Sequence, residues 1–188
     1  MNESLIKVIF LDRDGTLNID KDSVHRIEQV ELIDGVADGL RVLEGAGYIT
    51  AIVTNQSGVA RGRFTEQDVQ TVNNYIRTIL AERGVHIRAM AYCPYLVEGS
   101  VEKYAIDHEC RKPNTGMVKQ IEAVVGGIDY ANSWSIGDKI SDHEFGVKLG
   151  MKTVLLRSKN WNQAPTDPAP TIVANSVFEA AQKIKTVK

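Results

Sequence analysis

The chain has 188 residues, 43% of them hydrophobic and 24% charged, and a formal net charge of −2; this suits one domain, residues 1–188, with a substantial core rather than a disordered chain. Its 22 basic and 24 acidic residues form no evident basic stripe, which argues against a nucleic-acid binder. No apolar run approaches the roughly 20 residues of a membrane span, and the opening MNESLIKVIF lacks a signal-peptide layout, so no membrane partner and a cytoplasmic location are expected.

Taken in order, Val8 to Leu11 reads as a short buried strand that runs into Asp12, Asp14, Gly15 and Thr16. Residues 17–30 form a polar, irregular stretch long enough to be a functional loop. Asp34 stands at the N-cap position of a first helix, whose apolar residues Val36, Leu40, Val42 and Leu43 have helical spacing and whose end is marked by Gly45 and Gly47. A second strand, Tyr48 to Val53, leads into the polar run Thr54-Asn55-Gln56-Ser57-Gly58. Thr65 starts a second helix whose apolar residues Val69, Val72, Tyr75, Ile76, Ile79 and Leu80 fit a 3.6-residue period, closed by Gly84. A third strand, Ile87 to Tyr92, precedes a long loop from Cys93 to Pro113 and a helix from Thr115 to Val125. Ser133 to Ile136 is a fourth strand ending in Gly137-Asp138, and Ser141 to Leu149 a fourth helix. Lys152 to Leu156 is a fifth strand; a Pro-rich loop, a short edge strand at Ile172-Val173 and a helix from Val177 to Ile184 complete the chain.

Short continuous apolar strands alternating with amphipathic helices predict an α/β, three-layer αβα, Rossmann-like parallel sheet. In such sheets the site lies beyond the carboxyl ends of the strands. Asp12-Asp14, Thr54-Asn55 and Gly137-Asp138 each follow a strand, so three segments deliver polar groups to one rim. Asp-Gly is also a common turn pair, but convergence from three segments favours a site.

These groups suit phosphoryl transfer, which needs charge neutralisation, an in-line nucleophile and protonation of the leaving oxygen. Asp12, Asp14 and Asp138 offer the oxygen ligands that Mg²⁺ prefers. Asp12, first off the buried strand, is expected to attack phosphorus, and Asp14 to serve as general acid and then general base. Thr54, Asn55 and nearby backbone N–H groups can donate to a phosphoryl oxygen. Lys112 can balance its charge, and Arg111 can take a second phosphate by a bidentate contact.

The DxDGT strand end, the Thr after the second strand, the Lys before a later helix and the GD followed by Asp142 resemble the four motifs of the haloacid dehalogenase superfamily. The segments FLDRDGTLN (10–18), TNQSGVARGRFTE (54–66), YCP (92–94), CRKP (110–113) and GDK (137–139) are similar, in order, to the blocks of its D-glycero-D-manno-heptose 1,7-bisphosphate 7-phosphatase family. Histidinol-phosphate phosphatases share much of the pattern and are the alternative. The resemblance implies a haloacid dehalogenase-like fold and a Mg²⁺-dependent hydrolase acting through an aspartyl-phosphate on a small phosphorylated sugar. Asp12 would be the nucleophile and Asp14 the acid/base; Asp12, Asp14 (through its carbonyl) and Asp138 would hold Mg²⁺. Thr54 and Lys112 would steady the phosphoryl group. Asp20, Lys21, Asp22, Ser23, Thr54, Asn55, Gln56, Ser57, Arg111, Lys112 and Lys139 would contact substrate. The absence of a large cap insertion leaves short loops over the site, an open arrangement that suits a monomer. An inactive binding module on the same fold is opposed by the chain itself, since every position the mechanism needs is filled.

The two cysteines, Cys93 and Cys110, are 17 positions apart, a pairing read as metal-binding or inert rather than as a disulfide. Relatives implied by the resemblance carry a loop zinc on Cys-x-His and Cys-x-Cys. Here the pairs read Cys93-Pro94-Tyr95 and His108-Glu109-Cys110. Cys93, His108 and Cys110 leave three zinc ligands, with Asp107, Glu109 or water as the fourth; the other reading is a zinc-free loop packed through Tyr92, Tyr95 and Tyr104. His143 is expected to be solvated, His86 to lie on the surface, His25 to sit near the rim, and Trp134 to lie in the core. Ser141 and Glu144 have the spacing of a helix capping box.

Overall fold

The computed structural model describes residues 5–187. The first four residues of the opening stretch, read above as lacking a leader layout, lie outside them. A six-stranded sheet in the order β3-β2-β1-β4-β5-β6 is parallel throughout. Its strands are β1 (Val8–Leu11), β2 (Ile49–Asn55), β3 (Ile87–Cys93), β4 (Trp134–Gly137), β5 (Lys152–Leu156) and β6 (Ile172–Ala174). The helices are α1 (Val36–Gly45), α2 (Glu66–Ala81), α3 (Met117–Val125), α4 (Ile140–Lys148) and α5 (Val177–Ile184).

All four residues of β1 are buried, and they alternate between two cores. Ile9 and Leu11 point to one face, with Leu40 and Leu43 of α1, Val72 and Ile76 of α2 and Ile184 of α5. Val8 and Phe10 point to the other, with Met117 and Ile121 of α3 and Phe145 of α4. A sheet covered on both faces requires apolar residues of either parity, which explains the continuous apolar runs in the sequence. A third cluster, Val59, Ala60, Phe64, Val69, Leu96 and Tyr104, lies under the loops beyond β2 and β3. The connections 12–35 and 94–116 carry only short helical turns at Ile27–Gln29 and Glu102–Tyr104, so no cap domain stands over the strand ends among the described residues.

The sequence places every one of these elements. β1, β5 and α5 match their expected bounds, and other ends shift by a residue or two. The N-cap of α1 is Gly35 in the left-handed region (φ 77°), not Asp34; at that φ a side chain would be strained, and glycine is not. β2 runs two residues further than expected, so Thr54 and Asn55 are strand residues paired with Tyr92 and Cys93. The α4 capping box expected from Ser141 and Glu144 is replaced: the Lys139 N–H donates to Asp142 Oδ2 at 3.0 Å.

No described helix is long and apolar enough to cross a membrane. Phe10 and Phe145 meet edge to face with ring centroids 5.9 Å apart, and both are fully buried. Phe145→Ala opens a cavity at that contact and should cost about 3–5 kcal/mol, read as a lowered midpoint in urea denaturation.

Candidate active site

β1 and β4 are neighbours, with Leu11 in register with Ile136. The two carboxylate-bearing turns that follow them therefore lie side by side at the carboxyl rim. Asp12 is 4% exposed and salt-bridged on both oxygens: Oδ1 to Lys112 Nζ at 3.0 Å and Oδ2 to Lys139 Nζ at 3.2 Å. Burial alone would raise its pKa, but Lys112 and Lys139 outweigh burial and hold the carboxyl well below the usual range. Asp12 is thus an anion at any physiological pH, the state a nucleophile needs.

Lys112 is buried and central. Its Nζ donates to the Val53 carbonyl at 2.6 Å and to Asp12, and pairs with Asp142 Oδ1 at 2.5 Å. Burial pulls Lys112 toward neutrality, yet Asp12 and Asp142 hold it above the ordinary lysine value. Asn55 fixes its backbone reciprocally: Nδ2 donates to the Lys112 carbonyl at 3.1 Å and Oδ1 accepts the Lys112 N–H at 3.0 Å. Asn55, expected at the substrate, therefore also serves to place Lys112.

Lys139 Nζ sits where three oxygens converge: Asp12 Oδ2 at 3.2 Å, the Asp14 carbonyl at 3.1 Å and Asp138 Oδ1 at 3.5 Å. Burial would lower its pKa, and the facing carboxylates of Asp12 and Asp138 drive it upward instead. Asp138 is pushed up to about 6, by burial first and by Asp12 and Asp142 beside it, against the opposing pull of Lys139. Asp142 is also raised, chiefly by burial. Asp12, Asp138 and Asp142 present carboxylate oxygens within 4.8 Å of one another. Gly15, at φ 87°, leaves room for this: a side chain there would run into the Asp138 carboxylate. An all-oxygen, carboxylate-rich pocket that already gathers an ammonium fits a hard divalent cation.

Asp14 stands apart from that cluster. Its carboxylate receives Arg13, Asn18 Nδ2 at 2.9 Å and Gln56 Nε2 at 2.8 Å. Gln56 Nε2 also donates to Thr54 Oγ1 at 3.0 Å, so one amide joins Asp14 to Thr54, which is buried beneath the cleft rather than lining it.

A cleft of about 190 Å³ opens over these groups, lined by Asp14, Asp20, Asp22, Ser23, Asn55, Gln56, Ser57, Lys139, Arg61, Arg63 and Phe64 among others. Of the expected substrate contacts, Lys21 turns away and pairs with Glu31 at 2.9 Å. Arg111, half-buried, lies behind the wall, its Nη1 donating to Ser57 Oγ at 2.9 Å and the Tyr95 carbonyl at 3.1 Å. His25 borders the cleft without lining it: it stacks on Phe64 and its Nδ1 lies 2.7 Å from the Ser23 carbonyl.

Sequence reasoning missed Arg13, Asn73, Asn18 and Asn160. Asn160 Nδ2 donates to Asp138 Oδ2 at 2.5 Å from the Pro-rich loop, which carries no local signal for that contact. Asn73 left a legible trace, a polar residue on the buried stripe of α2. His143, expected in solvent, is buried between Thr153 Oγ1 at 2.8 Å and the Pro168 carbonyl at 3.0 Å. His86 is exposed and Trp134 buried, as expected.

The three-ligand zinc site is corrected. Cys93 and Cys110 are joined as a disulfide, so neither sulfur is a free thiolate, and among the described residues the one metal-suited cluster is the aspartate group. β3 and the chain before Lys112 approach closely enough for bonding, with Cα atoms 5.5 Å apart, a proximity that spacing in sequence does not reveal. Tyr95 stacks on His108 at 4.1 Å between centroids where the zinc-loop pattern would put two ligands.

Residues 109–180 match the HAD-hydrolase-like family model. Over 181 residues the chain is 40% identical to the D-glycero-beta-D-manno-heptose-1,7-bisphosphate 7-phosphatase of Escherichia coli (strain K12), covering 96% of this chain and 94% of that one. The chain belongs to the haloacid dehalogenase-like phosphatases. It is accordingly a phosphoric monoester hydrolase. The enzyme of the same description from Pasteurella multocida is 39% identical over 183 residues, 97% of this chain and 98% of that one. Among solved structures, a putative had-like phosphatase from Mesorhizobium loti matches this haloacid dehalogenase-like phosphatase with TM-score 0.83 and 30% identity, over 98% of this chain and 88% of that one. The D,D-heptose 1,7-bisphosphate phosphatase from B. bronchiseptica, complexed with magnesium and phosphate, matches with TM-score 0.80 and 26% identity, over 96% and 99%.

Two expectations follow for this phosphatase. The raised Asp138 keeps a proton in the folded state, between the usual carboxylate value and about pH 6, that the unfolded chain has released. Its ionisation therefore lowers stability as pH rises through 6. Asp138→Asn should raise the unfolding free energy in EDTA at about pH 7.5 by on the order of 1–3 kcal/mol. The gain should fade below about pH 3, where wild type and unfolded chain alike hold the proton. Alkylation of the protein unfolded without reductant should modify neither Cys93 nor Cys110, and should modify both after reduction, as counted by mass spectrometry.

Proposed function

We propose that this phosphatase removes the C7 phosphate of D-glycero-D-manno-heptose 1,7-bisphosphate, with Mg²⁺ and through an aspartyl-phosphate on Asp12, in the making of nucleotide-activated heptose. The observation that carries the chemistry is the Asp12 carboxylate, buried at the end of β1 and kept anionic by Lys112 and Lys139. The substrate choice is supported by identity to the Escherichia coli heptose bisphosphatase over nearly the whole of both chains.

Asp12, Asp138 and the Asp14 carbonyl would hold Mg²⁺, whose charge would screen the incoming phosphoryl oxygens; the magnesium of the B. bronchiseptica relative fits this assignment. Lys139, whose side chain is 38% exposed and whose Nζ is held by Asp12 and Asp138, would give up that place to the cation and turn to the substrate. Asp12 Oδ attacks phosphorus in line, the bond to the sugar oxygen breaks, and Asp14 protonates that oxygen. Asp14 then takes a proton from the water that releases phosphate from Asp12. Lys112, locked by Asp142 and Asn55, and Thr54 donate to the non-bridging oxygens throughout. The sugar lies in the cleft against Asp20, Asp22, Ser23, Gln56 and Ser57, and Arg111 stands behind Ser57 to receive the second phosphate on a small movement of the loop. Residues 1–188 act as one domain.

Asp12→Asn should still fold, with a lowered thermal midpoint because Lys112 and Lys139 each lose an ionic partner, and should lower phosphate release by at least about 10³-fold; retained Mg²⁺-dependent turnover in that variant would remove the nucleophile assignment. Rates on heptose 1,7-bisphosphate, histidinol phosphate and fructose 1,6-bisphosphate, measured side by side, should favour the first. A preference for histidinol phosphate would overturn the substrate.

A further inference from the structure

The residue between the two catalytic aspartates, Arg13, is a fully buried cation with no part in the chemistry above. A guanidinium stays charged at any working pH, so its burial demands a counter-ion, and Asp14 is its salt-bridge partner. Nη2 reaches Asp14 Oδ2 at 2.8 Å and Oδ1 at 3.1 Å, and Nε reaches Oδ1 at 3.2 Å. The same side chain is bound elsewhere. Nη1 donates to Asn73 Oδ1 of α2 at 3.0 Å. Nη2 also lies 2.8 Å from the Val24 carbonyl and 3.2 Å from Gln56 Oε1. One planar fork thus joins Asp14 to two of the segments that line the cleft, 20–24 and 54–57, and to α2 behind them.

The position is built for this. A cation between two active-site carboxylates could neutralise Asp12, yet Arg13 turns to the opposite side, where the amide of Asn73 interrupts the apolar stripe of Val69, Val72 and Ile76 to receive it. Gln56 closes the ring, taking a hydrogen bond from Arg13 while giving one to Asp14. The backbone of the 20–24 segment is held in uncommon geometry nearby, with Asp22 at φ 53° and Ser23 at φ 102°. Such geometry persists where surrounding contacts over-determine it.

We infer that Arg13 is the positioning residue of Asp14: it aims the acid/base carboxylate and, through Val24 and Gln56, makes that aim depend on how the two cleft segments are seated. This rests on the reading of Asp14 as general acid. The aim of an acid matters in proportion to how badly the leaving oxygen needs a proton. A sugar alkoxide needs it, and p-nitrophenolate scarcely does.

The test compares kcat/KM, which reports steps through departure of the leaving group, on heptose 1,7-bisphosphate and on p-nitrophenyl phosphate. Arg13→Met should lose about 100-fold on the sugar phosphate and less than about threefold on the aryl phosphate, and Arg13→Lys should recover about tenfold of the loss. Equal losses on both substrates, or none on either, would overturn the inference, because a merely structural cross-link has no reason to sense the leaving group. Should Arg13→Met fail to fold, Asn73→Ala decides. That variant leaves the ion pair with Asp14 in place and loosens the fork, so the same selective loss should appear at about fivefold. Asp14→Asn separates the two readings. A loss on the sugar phosphate alone upholds the acid, so that a non-selective Arg13→Met then counts against Arg13 only. A loss in Asp14→Asn that is equal on both substrates counts against the acid assignment itself.

Discussion

The Asp12 carboxylate, lodged between two ammonium groups at the end of a buried strand, is the interaction on which the rest of the site depends. Anions do not remain at the end of a buried strand unless paired. Lys112 reaches Asp12 from the far end of a long connection, and Lys139 from the turn after β4. Lys112 is fully desolvated and Lys139 partly so, and each needs the carboxylates in return, Lys112 taking Asp142 and Lys139 taking Asp138. The outcome is three carboxylates gathered on two ammoniums, with carboxylate oxygens within 4.8 Å of one another, a donor set that suits a hard divalent cation.

Asp14 belongs to a second electrostatic unit, balanced by Arg13 and separated from the first by the turn at Gly15. The division has a chemical use. On the proposed mechanism the two carboxylates take different parts, and each is held by its own cations: Asp12 by Lys112 and Lys139, Asp14 by Arg13. Thr54 and Gln56 stand at the boundary between the two units.

Most of the fold was legible because each strand is a continuous apolar run and each helix an apolar stripe, patterns that arise from burial on both faces of a parallel sheet. The catalytic frame was legible for another reason: Asp12, Thr54 and Asp138 sit directly at strand ends, so counting residues places them on one rim. What escaped were contacts made by the far ends of long side chains. Arg13 reads as a spacer between two aspartates, and its partner Asn73 lies 60 residues away. His143 follows Asp142 in a polar helix start, and only the Pro-rich loop folding back over α4 encloses it. The cysteine pair failed for a related reason. Spacing within each half of the pattern suggested ligands, but the bond between Cys93 and Cys110 is set by how β3 and the chain before Lys112 come together.

The strand order has a consequence for how such an enzyme can diversify. After β3, at one edge, the chain must return past β2 and β1 to enter the sheet again as β4. Strands lie about 4.8 Å apart, so this connection has the longest lateral journey of any, and its first half, residues 94–116, travels along the same rim that holds the reacting groups. It touches the sheet mainly through its ends, and it delivers Lys112 at one of them. Residues in its middle lie outside the lining of the cleft and pack instead, through Leu96 and Tyr104, on Val59, Ala60 and Phe64 of the loop after β2. Topology therefore lets this connection vary at a distance from the strand-end carboxylates, acting on the cleft only through the loop whose Arg61, Arg63 and Phe64 line it.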